Sequence, residues 1–212
     1  MIKTLAKDEV RLEMAGPAGK LEMAVGLPHE PERDGWGIVC HPHPLYGGTM
    51  DNKVVTTLTK TFQTMGLATV RFNFRGVGRS EGHYDAGKGE LEDLLAVIAW
   101  ARKEKLKREI WLAGFSFGAY IAAKAATEYP ITRLVTVAPP VAHFHMALLP
   151  PITCPWILIQ GEQDDVVPAE EVYAWVRQRD PQPEVIKFPT AGHFFHGQLG
   201  ELRERLLTAL KR

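Results

Sequence analysis

Ile110-Trp111-Leu112-Ala113-Gly114-Phe115-Ser116-Phe117-Gly118 is the stretch on which the reading of this 212-residue chain turns. The apolar run 110–114 reads as a strand buried on both faces, and 117–128 reads as a helix. Ser116 stands at the tight turn between them, with Gly114 and Gly118 two residues to either side. A turn of that kind strains the backbone and exposes its central residue at the carboxyl end of a sheet. Glycines beside it let neighbouring elements approach closely. The helix that begins there aims free N–H groups and its positive dipole end at any negative charge developing nearby. Serine is otherwise confined to Ser80, so Ser116 is a candidate nucleophile and not one of many surface serines.

Outward from this turn the chain alternates between short apolar runs and helical patterns. Residues 8–14 and 20–25 alternate apolar and polar and are joined by Ala-Gly-Pro-Ala-Gly, which reads as a hairpin. Apolar strands are expected at 36–40, 67–74, 133–138, 156–160 and 184–188. Helices are expected at 51–65, 88–104, 168–178 and 197–211. Gly66 reads as the residue that ends the first helix and Pro168 as a first-turn proline. Leu91, Leu94, Leu95 and Ile98 recur at helical spacing and mark one buried face. Continuous apolar strands separated by helices imply an α/β fold, with about eight strands in a mostly parallel sheet covered on both faces. The antiparallel hairpin belongs at one edge. No stretch has the composition of a linker, so 1–212 reads as one domain.

Composition removes several function classes. Lys+Arg and Asp+Glu both number 25, and this zero net charge gives no electrostatic case for nucleic acid or an anionic membrane. No apolar run approaches the roughly 18 residues of a membrane helix. The first residues lack the apolar core of a secretory signal. Two cysteines, Cys40 and Cys154, suit a reducing compartment and a cytoplasmic location better than a disulfide scaffold.

The glycine-flanked serine, the strand–helix order and the edge hairpin together resemble the α/β-hydrolase superfamily from about residue 8 to the C-terminus. HPHPLYGGTMDNK (41–53) and RFNFRGVGRSEG (71–82) resemble, more narrowly, small bacterial members distantly related to dienelactone hydrolases. Dienelactone hydrolases carry a cysteine nucleophile where this chain has Ser116, a departure that sets their lactone substrates aside. The resemblance implies a triad in the order Ser, acid, His. Gly161-Glu162-Gln163-Asp164-Asp165-Val166-Val167-Pro168 is similar to the superfamily's acid loop and places the acid at Asp164, with Asp165 one register away. The loop after the last strand, Ala191-Gly192-His193-Phe194-Phe195-His196, implies His193 as the base, with His196 at the site edge or capping the last helix. For an oxyanion, the resemblance implies the N–H of Phe117 and one from the 41–48 loop. Pro42 and Pro44 have none to give, which leaves Leu45 first and Tyr46 second.

Other motifs lead elsewhere. His41-x-His43 has the spacing of a metal pair, but Leu45 stands where a binuclear site needs aspartate, so no metal or other cofactor is expected. Gly82 to Lys88 matches a phosphate-loop pattern until Gly89 replaces its hydroxyl residue. The basic stretch 102–108 is interrupted by Glu104 and reads as a solvated helix end. The connection 139–155 contains five prolines and is too short for a lid, so an open site is expected, walled by Phe144, Met146, Leu148 and Leu149. These residues lead to a serine hydrolase acting on a small-molecule ester or related acyl compound. A thioesterase or peptidase would use the same triad, and a non-catalytic binding protein would show a damaged one.

Overall fold

The computed structural model of the chain describes residues 9–29, 32–104 and 109–212. The N-terminal residues 1–8, which include the first residue of the expected hairpin, lie outside it, as do 105–108 of the basic stretch. Eight strands form one sheet: β1 (Glu9–Gly16), β2 (Gly19–Gly26), β3 (Gly35–Cys40), β4 (Ala68–Phe72), β5 (Glu109–Phe115), β6 (Arg133–Val137), β7 (Trp156–Gly161) and β8 (Glu184–Phe188). Their order is β1-β2-β4-β3-β5-β6-β7-β8. β2 runs antiparallel to both its neighbours, and every other pairing is parallel. Among the described residues, five helices cover the sheet: α1 (Lys53–Thr64), α2 (Lys88–Glu104), α3 (Phe117–Glu128), α4 (Ala169–Val176) and α5 (Leu199–Leu210). No helix among the described residues is long and apolar enough to cross a membrane.

The unbroken apolar strands follow from a core on each face. Along β5, Ile110 and Leu112 join the core under α2, α3 and α4, while Trp111, Ala113 and Phe115 join the core under α1 and α5. Successive strand residues point to opposite faces, so a strand covered on both sides has no position free for polar residues. Gly37 in β3 belongs to this packing, because a Cβ there would overlap the Phe62 ring of α1.

Several expected boundaries shift, and one strand is more buried than its sequence suggests. The strand expected to reach residue 74 ends at Phe72, where Asn73 turns its amide to Glu22 and Phe74 gives its N–H to His41. Pro168 is the residue before α4 and not within its first turn, and α4 stops at Val176. β2, expected to alternate, is buried from Leu21 to Gly26. Its one acid, Glu22, accepts hydrogen bonds from the Asn73 side chain at 2.8 Å and the Arg79 N–H at 3.0 Å. The hydrogen bonds hold its carboxyl below the ordinary value although burial pushes the other way. A strand with an acid at its centre thus looks half-exposed in sequence and is covered from Leu21 onward in the fold. Gly66, in the left-handed conformation at φ 84°, ends α1 as expected.

Candidate active site

The carboxyl ends of β3, β5, β7 and β8 meet at one edge of the sheet, and each delivers one piece of a cavity. β5 delivers Ser116. Its backbone lies at φ 53° and ψ −120°, a conformation unfavourable for any side chain, and its N–H is anchored on Val137 O at 2.8 Å. A Cβ on Gly114 would overlap Gly118 O, and one on Gly118 would overlap Cys40 O. Glycine at both positions is therefore required by the close approach of strand, turn and helix. α3 starts immediately after, and its first N–H groups precede the first intrahelical acceptor.

β7 leads to Asp164, which is 7% exposed. Its Oδ1 accepts the N–H groups of Val166 at 2.9 Å and Val167 at 2.7 Å. Its Oδ2 accepts the Gln160 side-chain amide at 3.2 Å and faces His193 Nδ1 at 2.8 Å. Burial opposes ionisation, but hydrogen bonds from His193, Val167 and Val166 outweigh it and hold the carboxyl below its usual value. An ionised Asp164 can only accept, so Nδ1 of His193 carries the proton and Nε2 is left as a base. His193, on the loop after β8, is 5% exposed and packs on the Phe115 ring. Asp165 is exposed and makes no hydrogen bond to this network among the described residues. His196 is exposed too, and the residue preceding α5 is Gln198.

The sequence reading passed over Gln160. Its amide NH₂ gathers Asp164 Oδ2, Val167 O and Gly161 O, pinning the acid loop to the end of its own strand. Its own Oε1 is buried without a hydrogen-bond partner among the described residues. The only sign of it in the sequence is one polar residue closing an otherwise apolar strand.

The loop after β3 departs from expectation. Leu45 N–H donates to His43 Nδ1 at 3.2 Å, and the Leu45 side chain is 66% exposed. Tyr46 N–H is taken by His43 O at 3.1 Å. Both expected donors are thus engaged within their own short 3₁₀ turn, Pro44–Tyr46. The His43 N–H, between the two prolines, has no acceptor among the described residues and belongs to a residue lining the cavity at Ser116. Proline exclusion removed the right residues, but a turn that consumes its own N–H groups is invisible in the sequence.

The two histidines of this loop have separate duties. His41 is fully buried; its Nδ1–H donates to Pro42 O at 2.6 Å and its Nε2 accepts Phe74 N–H at 3.0 Å. With both nitrogens committed to backbone, His41 has no lone pair for a metal. His43 accepts Leu45 N–H on Nδ1, which puts its proton on Nε2, directed to the Tyr84 hydroxyl at 3.2 Å. The phosphate-loop look-alike is filled from within: the Glu90 carboxylate accepts Asp85 N–H at 2.8 Å and Gly87 N–H at 2.7 Å.

Burial lowers the His41 pKa from 6.5 to about 4. The unfolded chain therefore takes up a proton at this position before the folded chain does. Stability is lost as pH falls from about 6.5 toward 4, by up to about 3 kcal/mol. A His41→Gln variant, whose amide offers a donor and an acceptor but does not titrate, is expected to lack this component. Denaturant melts of both proteins from pH 7 to pH 4 check it, and a stability difference that stays constant with pH contradicts it.

Ser116 and His193 line one cavity of about 340 Å³, with Pro42, His43, Asn52 and Phe194 among its walls. A second lobe of about 250 Å³ shares Ser116 and is closed by Phe117, Pro140 and Phe144. Of the four walls expected from 139–155, Phe144 alone lines it. Met146 is buried in the core, Leu148 is exposed, and Leu149 packs against the core from outside. This connection contains one three-residue 3₁₀ turn, Met146–Leu148, and no lid.

Comparison with known proteins bears on the fold and the family. Residues 18–148 match the family model of X-Pro dipeptidyl-peptidase (S15 family), a family with the α/β-hydrolase fold. An α/β serine hydrolase homologue from Coxiella burnetii is 50% identical, with a TM-score of 0.94 over 98% of this chain and 100% of its own. A lidless α/β serine hydrolase from Xanthomonas campestris is 38% identical, with a TM-score of 0.93 over 98% of this chain and 96% of its own. An uncharacterised protein of Rickettsia prowazekii is 34% identical over 90% of this chain and 84% of its own.

Proposed function

This chain belongs to the α/β serine hydrolases, among their members without a lid, and on that premise we propose that it hydrolyses small, uncharged carboxylic esters through an acyl-enzyme on Ser116. The observation that carries the proposal is the ionised Asp164 hydrogen-bonded to Nδ1 of His193, with His193 and the strained Ser116 on the wall of one cavity. Ser116 Oγ forms a bond to the acyl carbon while its proton passes to His193 Nε2. The N–H groups of Phe117 and His43 receive the oxyanion, each worth about 10²–10³ in rate. The bond to the leaving oxygen then breaks, and His193 returns the proton to that oxygen. Water repeats the sequence on the acyl-enzyme, releasing the acid and restoring Ser116. Asp164 keeps the imidazole in the right tautomer and stabilises its charged form. No cofactor takes part. Two unpaired cysteines, one fully buried, suit a reducing, cytoplasmic setting.

The S15 match raises peptidase action as a second reading. An enzyme that removes a dipeptide has to recognise a free α-ammonium, and a cation in a part-buried site needs a carboxylate partner. No Asp or Glu lines either lobe among the described residues. That favours uncharged acyl compounds over peptide N-termini in this site.

A p-nitrophenyl ester series from acetate to palmitate tests the proposal. Each methylene adds about 0.8 kcal/mol only while it is buried, and without a lid a long chain runs into solvent. The expected result is kcat/KM highest for acyl chains of roughly two to six carbons, on this burial argument, then level or falling. A steady rise to palmitate contradicts the open site. Absence of turnover with every ester contradicts the ester reading.

A further inference from the structure

The two lobes at Ser116 can be assigned to the two halves of a substrate by proton transfer alone. His193 has to reach the leaving oxygen, and it lines the 340 Å³ lobe but not the 250 Å³ one. The leaving group therefore lies with His193 and Phe194. The acyl group, on the other side of the reacting carbon, lies against Phe117, Pro140, His143 and Phe144. We propose that this second lobe is a subsite for a planar, uncharged aromatic acyl group, such as an arylacetyl or arylacryloyl group. The proposal rests on the ester-hydrolase reading above and specifies its substrate class.

The walls carry the proposal. Phe144 meets Phe117 edge-on, with ring centroids 5.1 Å apart at 74°, and lies 5.8 Å from the His43 ring. On its far side it stacks on Tyr120 at 5.4 Å and 22°. His43 and Tyr46, which also line the lobe, pack ring to ring at 4.7 Å, while the buried Phe117 backs Phe144 from the core. Ring faces and edges of this kind favour another ring over a puckered or flexible chain of equal size. His43 enters the wall as a neutral ring, its pKa lowered by burial and both nitrogens occupied. No Asp, Glu, Lys or Arg lines the lobe among the described residues, so nothing there matches a charged acyl group.

The backbone supplies an independent observation. Phe144 and His145 both lie in the left-handed region, at φ 56° and 57°, and neither is glycine. Strain of this sort persists where the surroundings over-determine it and gathers at ligand clamps. Here the packing of the Phe144 ring against Tyr120 and Phe117, with the 3₁₀ turn that begins at Met146, holds that conformation in place.

The test compares p-nitrophenyl phenylacetate with p-nitrophenyl cyclohexylacetate. They share a leaving group and carbon count and differ in a flat against a puckered ring. The wild-type enzyme is expected to favour phenylacetate in kcat/KM by roughly threefold to tenfold, the worth of one or two aromatic contacts. Phe144→Leu, which keeps an apolar wall without the ring, is expected to bring that ratio close to one while the variant melts as a folded protein. Phe194→Leu, in the other lobe, is expected to alter selectivity among leaving alcohols and not the acyl ratio. Equal rates for the two esters, a preference for cyclohexylacetate, or a ratio that survives Phe144→Leu overturns the aromatic subsite while leaving the hydrolase reading standing. Absence of turnover with both esters overturns the ester-hydrolase reading and the subsite with it.

Discussion

Ser116→Ala is expected to lower kcat for p-nitrophenyl acetate by about 10⁶-fold, the scale set by removal of a triad serine. The reason is chemical and local. Without Oγ there is no acyl-enzyme, and Asp164 and His193 are left with nothing to activate except solvent water. The fold is expected to survive, because the Ser116 side chain makes no capping hydrogen bond to α3 and the turn is anchored by its backbone N–H on Val137 O. Alanine has the same Cβ in the same strained conformation. Kinetics alongside circular dichroism and a thermal melt check both halves of the expectation. A folded variant that keeps more than about a tenth of wild-type turnover removes Ser116 from the nucleophile role, on the same scale.

Asp164→Asn is expected to cost about 10⁴-fold in kcat, as the wrong histidine tautomer does in other triads. The hydrogen bonds around this carboxylate explain why the amide cannot adapt. Oδ1 accepts two backbone N–H groups, from Val166 and Val167, so the asparagine oxygen is drawn to that position. Its NH₂ then faces His193 Nδ1 and the Gln160 amide, where the single oxygen Oδ2 accepted from both before. His193 responds by moving its proton to Nε2, the nitrogen that has to accept from Ser116. Asp165 is exposed and outside this network, and Asp165→Asn is expected to have a far smaller effect. Steady-state kinetics of the two variants side by side decide the matter, and reversed losses show that the acid loop is read one residue out of register.

The fold was largely legible in the sequence because its strongest signals are local. Apolar strands buried on two faces, a glycine ending α1 and the glycine pair around Ser116 each reflect a constraint within a few residues. Asp164 and His193 came from the resemblance to the superfamily, which implies an acid after β7 and a base after β8, and the fold sets the two 2.8 Å apart. What escaped depends on where hydrogen bonds go. Leu45 has a backbone N–H on paper, but His43 Nδ1 consumes it. Gln160 looks like a strand terminus and turns out to anchor the acid loop. Glu22 made β2 look half-exposed because its partners, Asn73 and Arg79, arrive from more than fifty residues away. Met146 and Leu148 sit in a segment with no periodicity, where sequence gives no direction for a side chain; one is buried and the other exposed.

The central claim is that Ser116, activated by His193 and Asp164, is the nucleophile. Covalent labelling of the native protein with a fluorophosphonate, followed by peptide mapping, tests it most directly. The triad predicts one phosphonyl group per chain, on Ser116, and loss of labelling when the protein is unfolded first or when His193 is replaced by alanine. Modification of Ser80 or of a tyrosine in place of Ser116, or no modification of the folded protein, contradicts it.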